Sequence, residues 1–108
     1  MALIKNAYNL AGGNSETSEV ENPNNWRVTA TTSGMPAGQS VELKFFVAGE
    51  DDKYAPLTDE NYRHIKLEIN TNTTVSINLG GVNAAKGKVA IVVTDDAVGL
   101  IDIDSINS

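Results

Sequence analysis

The sequence predicts an all-β domain, an antiparallel sandwich of two sheets built from about seven short strands. Three observations carry this expectation. Apolar residues recur at every second position in several short segments, and Gly, Pro, Asn and Asp punctuate the gaps between them. No longer segment places apolar residues at helical spacing. A strand with one apolar face must bury it against a second layer, so a lone sheet is excluded. The expected strand order is immunoglobulin-like, with a jelly roll or a small barrel as the alternatives. The cysteine pair of immunoglobulin domains is absent, so that order rests on strand number and patterning alone.

Residues 2–10 put Ile4, Tyr8 and Leu10 on one parity and Leu3 and Ala7 on the other, which reads as a weak strand or an extended arm. Residues 11–25 are rich in Gly, Asn, Ser and Glu and hold one large apolar side chain, Val20; they read as slack polar loop. The chain is expected to be one domain, with residues 1–25 as the N-terminal strand or arm plus polar loop and residues 26–108 as the sandwich.

From residue 26 the alternation sharpens. Trp26, Val28 and Ala30 share a face, and Pro36 with two glycines turns the chain. Val41, Leu43, Phe45 and Val47 alternate most cleanly, with Glu42 and Lys44 facing away. Residues 49–61 read as a second long loop, whose Thr58 suits the cap of a single helical turn. Residues 63–69 and 74–79 read as a hairpin pairing Ile69 with Val75, Leu67 with Ile77 and Ile65 with Leu79. Residues 88–106 read as a second hairpin, in which the β-branched run Val89 to Val93 turns at 95–99 and pairs Val93 with Ile101 and Ile91 with Ile103. Both leave polar side chains, Asp102 and Asp104 among them, on the outer face.

Composition excludes several kinds of chemistry. The chain has 108 residues and no cysteine, which removes disulfides, thiolate metal sites and a Cys nucleophile together. A net charge of −6 opposes binding to nucleic acid or to an anionic membrane. No apolar run approaches the ~20 residues of a membrane span. The N-terminal residues lack a basic region followed by a long apolar stretch, so no secretion signal is expected and the chain is read as used where it is made.

The candidate motifs are weak. His64 is the only histidine and sits at a strand start facing away from the core residues, so a serine nucleophile lacks a general base. Residues 81–88 imitate a phosphate loop but have five residues between the glycines and a strand after them, where four and a helix are needed. The acidic groups Asp51, Asp52, Asp59 and Glu60, the pair Asp95 and Asp96, and the pair Asp102 and Asp104 do not converge on one ion, so no metal and no cofactor is expected. Trp26 shares parity with core residues and reads as an anchor; Tyr54 and Tyr62 are the aromatic candidates for an exposed contact. Asn72 opens a glycosylation sequon on a turn.

The short segment 1–10, the polar loop 11–25 and the one-faced strands from Trp26 onward together resemble the small β-sandwich decoration and auxiliary proteins of tailed-bacteriophage virions. The resemblance spans the chain loosely. It implies attachment to a capsid or tail surface, with no reaction, no cofactor and a virion protein as partner, self-association being left open. On this reading the partner contacts are Leu3, Ile4, Tyr8 and Leu10 in the arm, with Tyr54 and Tyr62 in the loops. The alternative is a carbohydrate-binding module, and the alternative location to the virion is the cytoplasm.

Overall fold

The computed structural model describes residues 2–107, and Met1 lies outside them. Ten strands run in the order β1 (Ala2–Asn9), β2 (Ser15–Glu16), β3 (Val20–Glu21), β4 (Trp26–Ser33), β5 (Val41–Ala48), β6 (Tyr54–Pro56), β7 (Lys66–Ile69), β8 (Thr74–Gly80), β9 (Lys86–Val93) and β10 (Leu100–Asn107). A 3-10 turn at Leu10–Gly12 is the only helical element among the described residues. Two antiparallel sheets pack together. The first has the order β1-β10-β4-β8; in the second β9 and β5 lie at the centre, with β2 and β3 end to end along β9 and β6 and β7 end to end along β5. The count exceeds the expected seven because the supposed loops contribute three strands of two or three residues.

The alternating apolar residues all point between the sheets. Trp26, Val28 and Ala30 of β4 and Ile101 and Ile103 of β10 meet Val41, Leu43 and Phe45 of β5 and Val89 and Ile91 of β9, all fully buried. Trp26 binds the layers. Its indole Nε1 donates to Ser105 Oγ at 2.9 Å within its own sheet, and its ring meets Phe45 of the other sheet edge-on, with centroids 6.0 Å apart. The far end of the ring reaches β9 at Gly87, where an added Cβ would lie 2.9 Å from the indole. A glycine there is a packing requirement.

Both expected hairpins are corrected by the structure. Val93 pairs with Val41 and Ile101 with Tyr8 and Thr32, so β9 and β10 lie in different sheets. Ile69 pairs with Val41 and Val75 with Ala30, which separates β7 from β8 in the same way. The apolar residues do meet, but face to face across the core rather than side by side in one sheet. A crossing between sheets and a hairpin both turn alternate residues inward, so periodicity alone does not separate them. At the last crossing Gly99 has φ 113°, and a Cβ there would lie 2.7 Å from the Ser33 carbonyl oxygen. The immunoglobulin-like order, which sets the last strand beside its predecessor in one sheet, is therefore not the order found.

The N-terminal segment is also built in. β1 is an edge strand beside β10, bulged at Ala7 (φ 45°), whose amide donates to Asp102 Oδ1 at 2.6 Å. Ile4 and Leu10 are core residues. The polar stretch after them is stitched down: Ser18 N donates to the Ile4 carbonyl at 3.1 Å, and Lys5 Nζ donates to Ser15 Oγ at 2.8 Å. These contacts put β1 and β2 on the same side of the sandwich, so β8 and the β6–β7 edge share the opposite side.

Two outcomes follow for stability. Leu10→Ala should cost about 2–5 kcal/mol in chemical denaturation, as for any core leucine; a loss below about 1 kcal/mol would mean the segment does not belong to the core. Gly87→Ala should cost about 1–3 kcal/mol by overpacking against the indole. The same change in a Trp26→Phe background should cost about 1 kcal/mol less, and a double-mutant cycle reads that coupling directly.

Candidate functional site

β6 and β7 occupy one strand position along β5, and residues 57–65 leave the sheet edge between them as a small hairpin. Its base is hydrogen-bonded into the sheet: Leu57 N donates to the Phe45 carbonyl at 2.8 Å, and Ile65 N to the Leu57 carbonyl at 2.9 Å. His64 adds a second bond there, its Nε2 donating to the Phe45 carbonyl at 3.0 Å while the ring meets Phe46 edge-on at 5.0 Å. The lone histidine is thus a half-buried strut and not the exposed strand-end residue expected.

The tip is set by one carboxylate. Asp59 Oδ1 accepts from the amides of Asn61 at 2.8 Å and Arg63 at 3.0 Å. Asp59 N donates to the Arg63 carbonyl at 2.9 Å, and Tyr62 N donates to the Asp59 carbonyl at 3.0 Å. This turn, where a capped helical turn was expected, requires a left-handed residue at position 62. Glycine is the usual occupant; here it is tyrosine, with φ 61° and 89 % of its surface exposed. A left-handed conformation costs a residue with a Cβ about 1–2 kcal/mol. The ring recovers none of that cost by packing.

The other expected contact residues lie elsewhere. Leu3 is half exposed on the outer face of the first sheet, opposite Asp104. Ile4 and Leu10 face the core, so contacting a partner through them would require β1 to leave its sheet. Tyr8 is half buried, its hydroxyl donating to the Gly13 carbonyl at 2.6 Å under the Lys5 ammonium. Tyr54 lies on the outer face of the second sheet with Lys88 Nζ 4.2 Å above its ring; Lys88 also pairs with Glu16 at 2.8 Å. No ring contact joins Tyr54 to Tyr62 among the described residues. The structure thus scatters the six residues over separate places and brings them to no common site.

The Tyr54 hydroxyl is screened from water and makes no hydrogen bond of full geometry, though the Glu19 carboxylate lies beside it. Burial first, and then the hydrogen-bonding and charge interaction with Glu19, push its pKa from 10.0 up to about 12. Nearby, Lys86 bridges Asp52 and Glu19, and its hydrogen bond to Asp52 is the main cause holding its pKa above the ordinary lysine value.

The acidic residues are dispersed over separate tasks. Asp51 accepts from Lys53 N at 3.2 Å, Asp59 builds the hairpin tip and Asp102 holds the β1 bulge. Asp95 and Asp96 rim a cleft of about 290 Å³ beside Leu10, Asn14 and Ala97. No group of three or more His, Cys, Asp or Glu among the described residues is placed to hold a metal ion. Asn72, the sequon residue, is engaged on both sides of its amide: it accepts from Met35 N at 2.8 Å and donates to the Met35 carbonyl at 2.9 Å. No helix of the described residues is long and apolar enough to cross a membrane.

Of the site, sequence reasoning named Tyr62 but not what makes it distinctive, the left-handed backbone and the aspartate that fixes it. An Asp three residues before a tyrosine carries no signal until the turn is seen. Among known proteins, no family model matches this chain and no curated protein sequence matches it.

The raised Tyr54 pKa has a definite sign. The fold favours the neutral phenol, so its contribution is complete below pH 10.0 and is lost as pH rises toward about 12. Tyr54→Phe should remove that alkaline loss and leave stability at neutral pH unchanged or raised by up to about 1 kcal/mol, since the hydroxyl is unsatisfied. Denaturation at neutral and alkaline pH checks both, and a neutral-pH loss beyond about 1 kcal/mol would show the hydroxyl is bonded.

Proposed function

We propose that the chain is a non-enzymatic interaction module, a decoration or auxiliary protein of a bacteriophage virion, which holds a virion protein through the 57–65 hairpin with Tyr62 as anchor. One observation carries the contact. A fully presented tyrosine sits at a strained position where glycine would serve the fold better, on a turn braced by Asp59 and His64. Strain held by surrounding structure and not repaid by packing belongs to a site. A rigid tyrosine also loses little side-chain freedom on binding and is a frequent interface hot spot.

The strand order supports a jelly roll as the finer fold. With β2 and β3 counted as one position and β6 and β7 as another, first and last strands are neighbours and nearly every connection crosses between sheets. Jelly rolls serve viral coats and lectins alike, so the fold is compatible with a shell or a sugar as partner. Carbohydrate binding is the second reading, favoured by the same exposed ring, but Tyr54 beneath Lys88 leaves Tyr62 without an aromatic neighbour for a two-ring platform.

Tyr62→Gly separates function from stability. Glycine accepts φ 61° without the Cβ penalty, so the melting midpoint should stay or rise. Co-sedimentation with undecorated particles should be abolished, while Tyr62→Phe should retain most of it. Undiminished binding by the glycine variant would remove the hairpin from the mechanism. Release of the wild type from particles by a soluble sugar would favour the carbohydrate reading.

A further inference from the structure

The sandwich has four lateral edges, and three are blunted against pairing with another chain. β1 carries two register shifts and a left-handed Ala7. β2 and β3 are two-residue stubs, and the β6–β7 edge is broken by the hairpin and carries Pro56. Bulges, short strands and proline are the usual means of protecting an edge.

β8 is the least protected. Its seven residues, Thr74 to Gly80, include no charged side chain and no proline, and its one register shift lies at its end, at Leu79 between Asn78 and Gly80. Among the described residues its backbone bonds only to β4, so one edge of the strand is free. Val75, Ile77 and Leu79 point inward yet are only partly buried, unlike Trp26, Val28 and Ala30 of the neighbouring strand β4. Leu67 and Ile65 of the facing edge are partly buried too, so an apolar seam runs along this side.

We infer that β8 pairs antiparallel with β8 of a second copy of this chain, joining the two four-stranded sheets into one. The residue order is self-complementary about Ile77. A two-fold axis there sets Ile77 opposite Ile77 on the inner face and Ser76 opposite Asn78 on the outer face, with Val75 meeting the bulged end of the partner strand at Leu79. A C2 contact requires such a self-complementary patch. An uncharged strand is also the part of a chain of net charge −6 where two copies approach with least repulsion. The pairing is independent of the role of Tyr62, since it uses the other sheet.

A contact through one seven-residue strand per copy belongs to the small end of interface sizes, below roughly 1,200 Å², and makes a reversible dimer. Sedimentation across a concentration series should show a monomer–dimer equilibrium. Added salt should strengthen it, because two acidic copies repel at long range; a basic partner strand would show the opposite dependence.

Two double variants test the register on the exposed face, where folding is least at risk. Ser76→Lys with Asn78→Glu places opposite charges across the axis and should tighten the dimer several-fold. Ser76→Lys with Asn78→Lys places like charges there and should weaken it at least ten-fold at low salt. Thermal melts of both variants establish that they are folded. If these do not fold, Ile77→Cys in this cysteine-free chain should form a dimer through a single disulfide under mild oxidation, while Thr31→Cys on β4 should not. A wild type that stays monomeric at millimolar concentration, or two double variants that associate equally, would overturn the pairing. So would a monomeric wild type whose particle binding is lost in both double variants, which would assign the edge to another protein.

Discussion

The contact on which the rest of the structure depends is the burial of Trp26 between the sheets. The residue starts β4, yet its ring reaches Phe45 and Gly87 in the opposite sheet, and its one polar atom is satisfied by Ser105. A tryptophan in a core must find a partner for its indole N–H, and Ser105 on the adjacent strand supplies it. The same ring dictates a glycine on β9, because the flat side of a strand is the only backbone surface that lets an indole lie so close. One side chain thereby specifies the spacing and the relative position of β4, β5, β9 and β10. Sheet-on-sheet packing leaves room for about 10 Å of interdigitated side chains, and this ring fills a large share of it at one end of the sandwich.

With the layers set, the remaining problem for a small sandwich is its edges. A chain with no cysteine and no metal cluster among its described residues has only packing and backbone pairing to close them. The N-terminal side is closed by side-chain stitching: Ile4, Leu10 and Val20 are buried beneath it, with Tyr8, Lys5 and Thr17 tying the polar stretch to the strands. The opposite side is closed less completely, and its apolar residues stay partly accessible. This asymmetry makes one flank of the molecule a closed framework and leaves the other, more open one as the flank on which the proposed contacts lie.

The hairpin and the β8 edge both lie on that contact flank, in different layers. They differ in the kind of signal they give. Tyr62 is a residue held against its own backbone preference by Asp59, which is a local energetic cost with no return inside the monomer. β8 is an edge strand with neither charge nor proline, bulged only at its end. Strain of the first kind is a standing cost to the fold, whereas an open edge is tolerated at low concentration. The electrostatic groups fit neither signal: Lys86, Lys88, Glu16 and Asp52 neutralise one another across the outer face of the second sheet, as exposed cross-strand pairs commonly do.

The sequence by itself determined which face of the main strands from Trp26 onward is dry. The period-two pattern from Trp26 onward places the core side chains inward because a pleated strand has only two faces and one of them must be dry. It determined the absence of thiol chemistry and of any α-helix among the described residues for equally local reasons. The tertiary structure alone decided which strands are neighbours. Val93 and Ile101 read as a hairpin pair and are instead on opposite sides of the core, since a hairpin and a crossing bury the same residues. It also decided that Ile4 and Leu10 are core residues rather than an arm, because β1 is held by its pairing with β10, some ninety residues away in sequence. The prominence of Tyr62 was invisible for the same reason. Its type was legible in the sequence, but its left-handed backbone depends on the turn that Asp59 and the edge of β5 impose, and conformation at a single residue follows from contacts that no local pattern records.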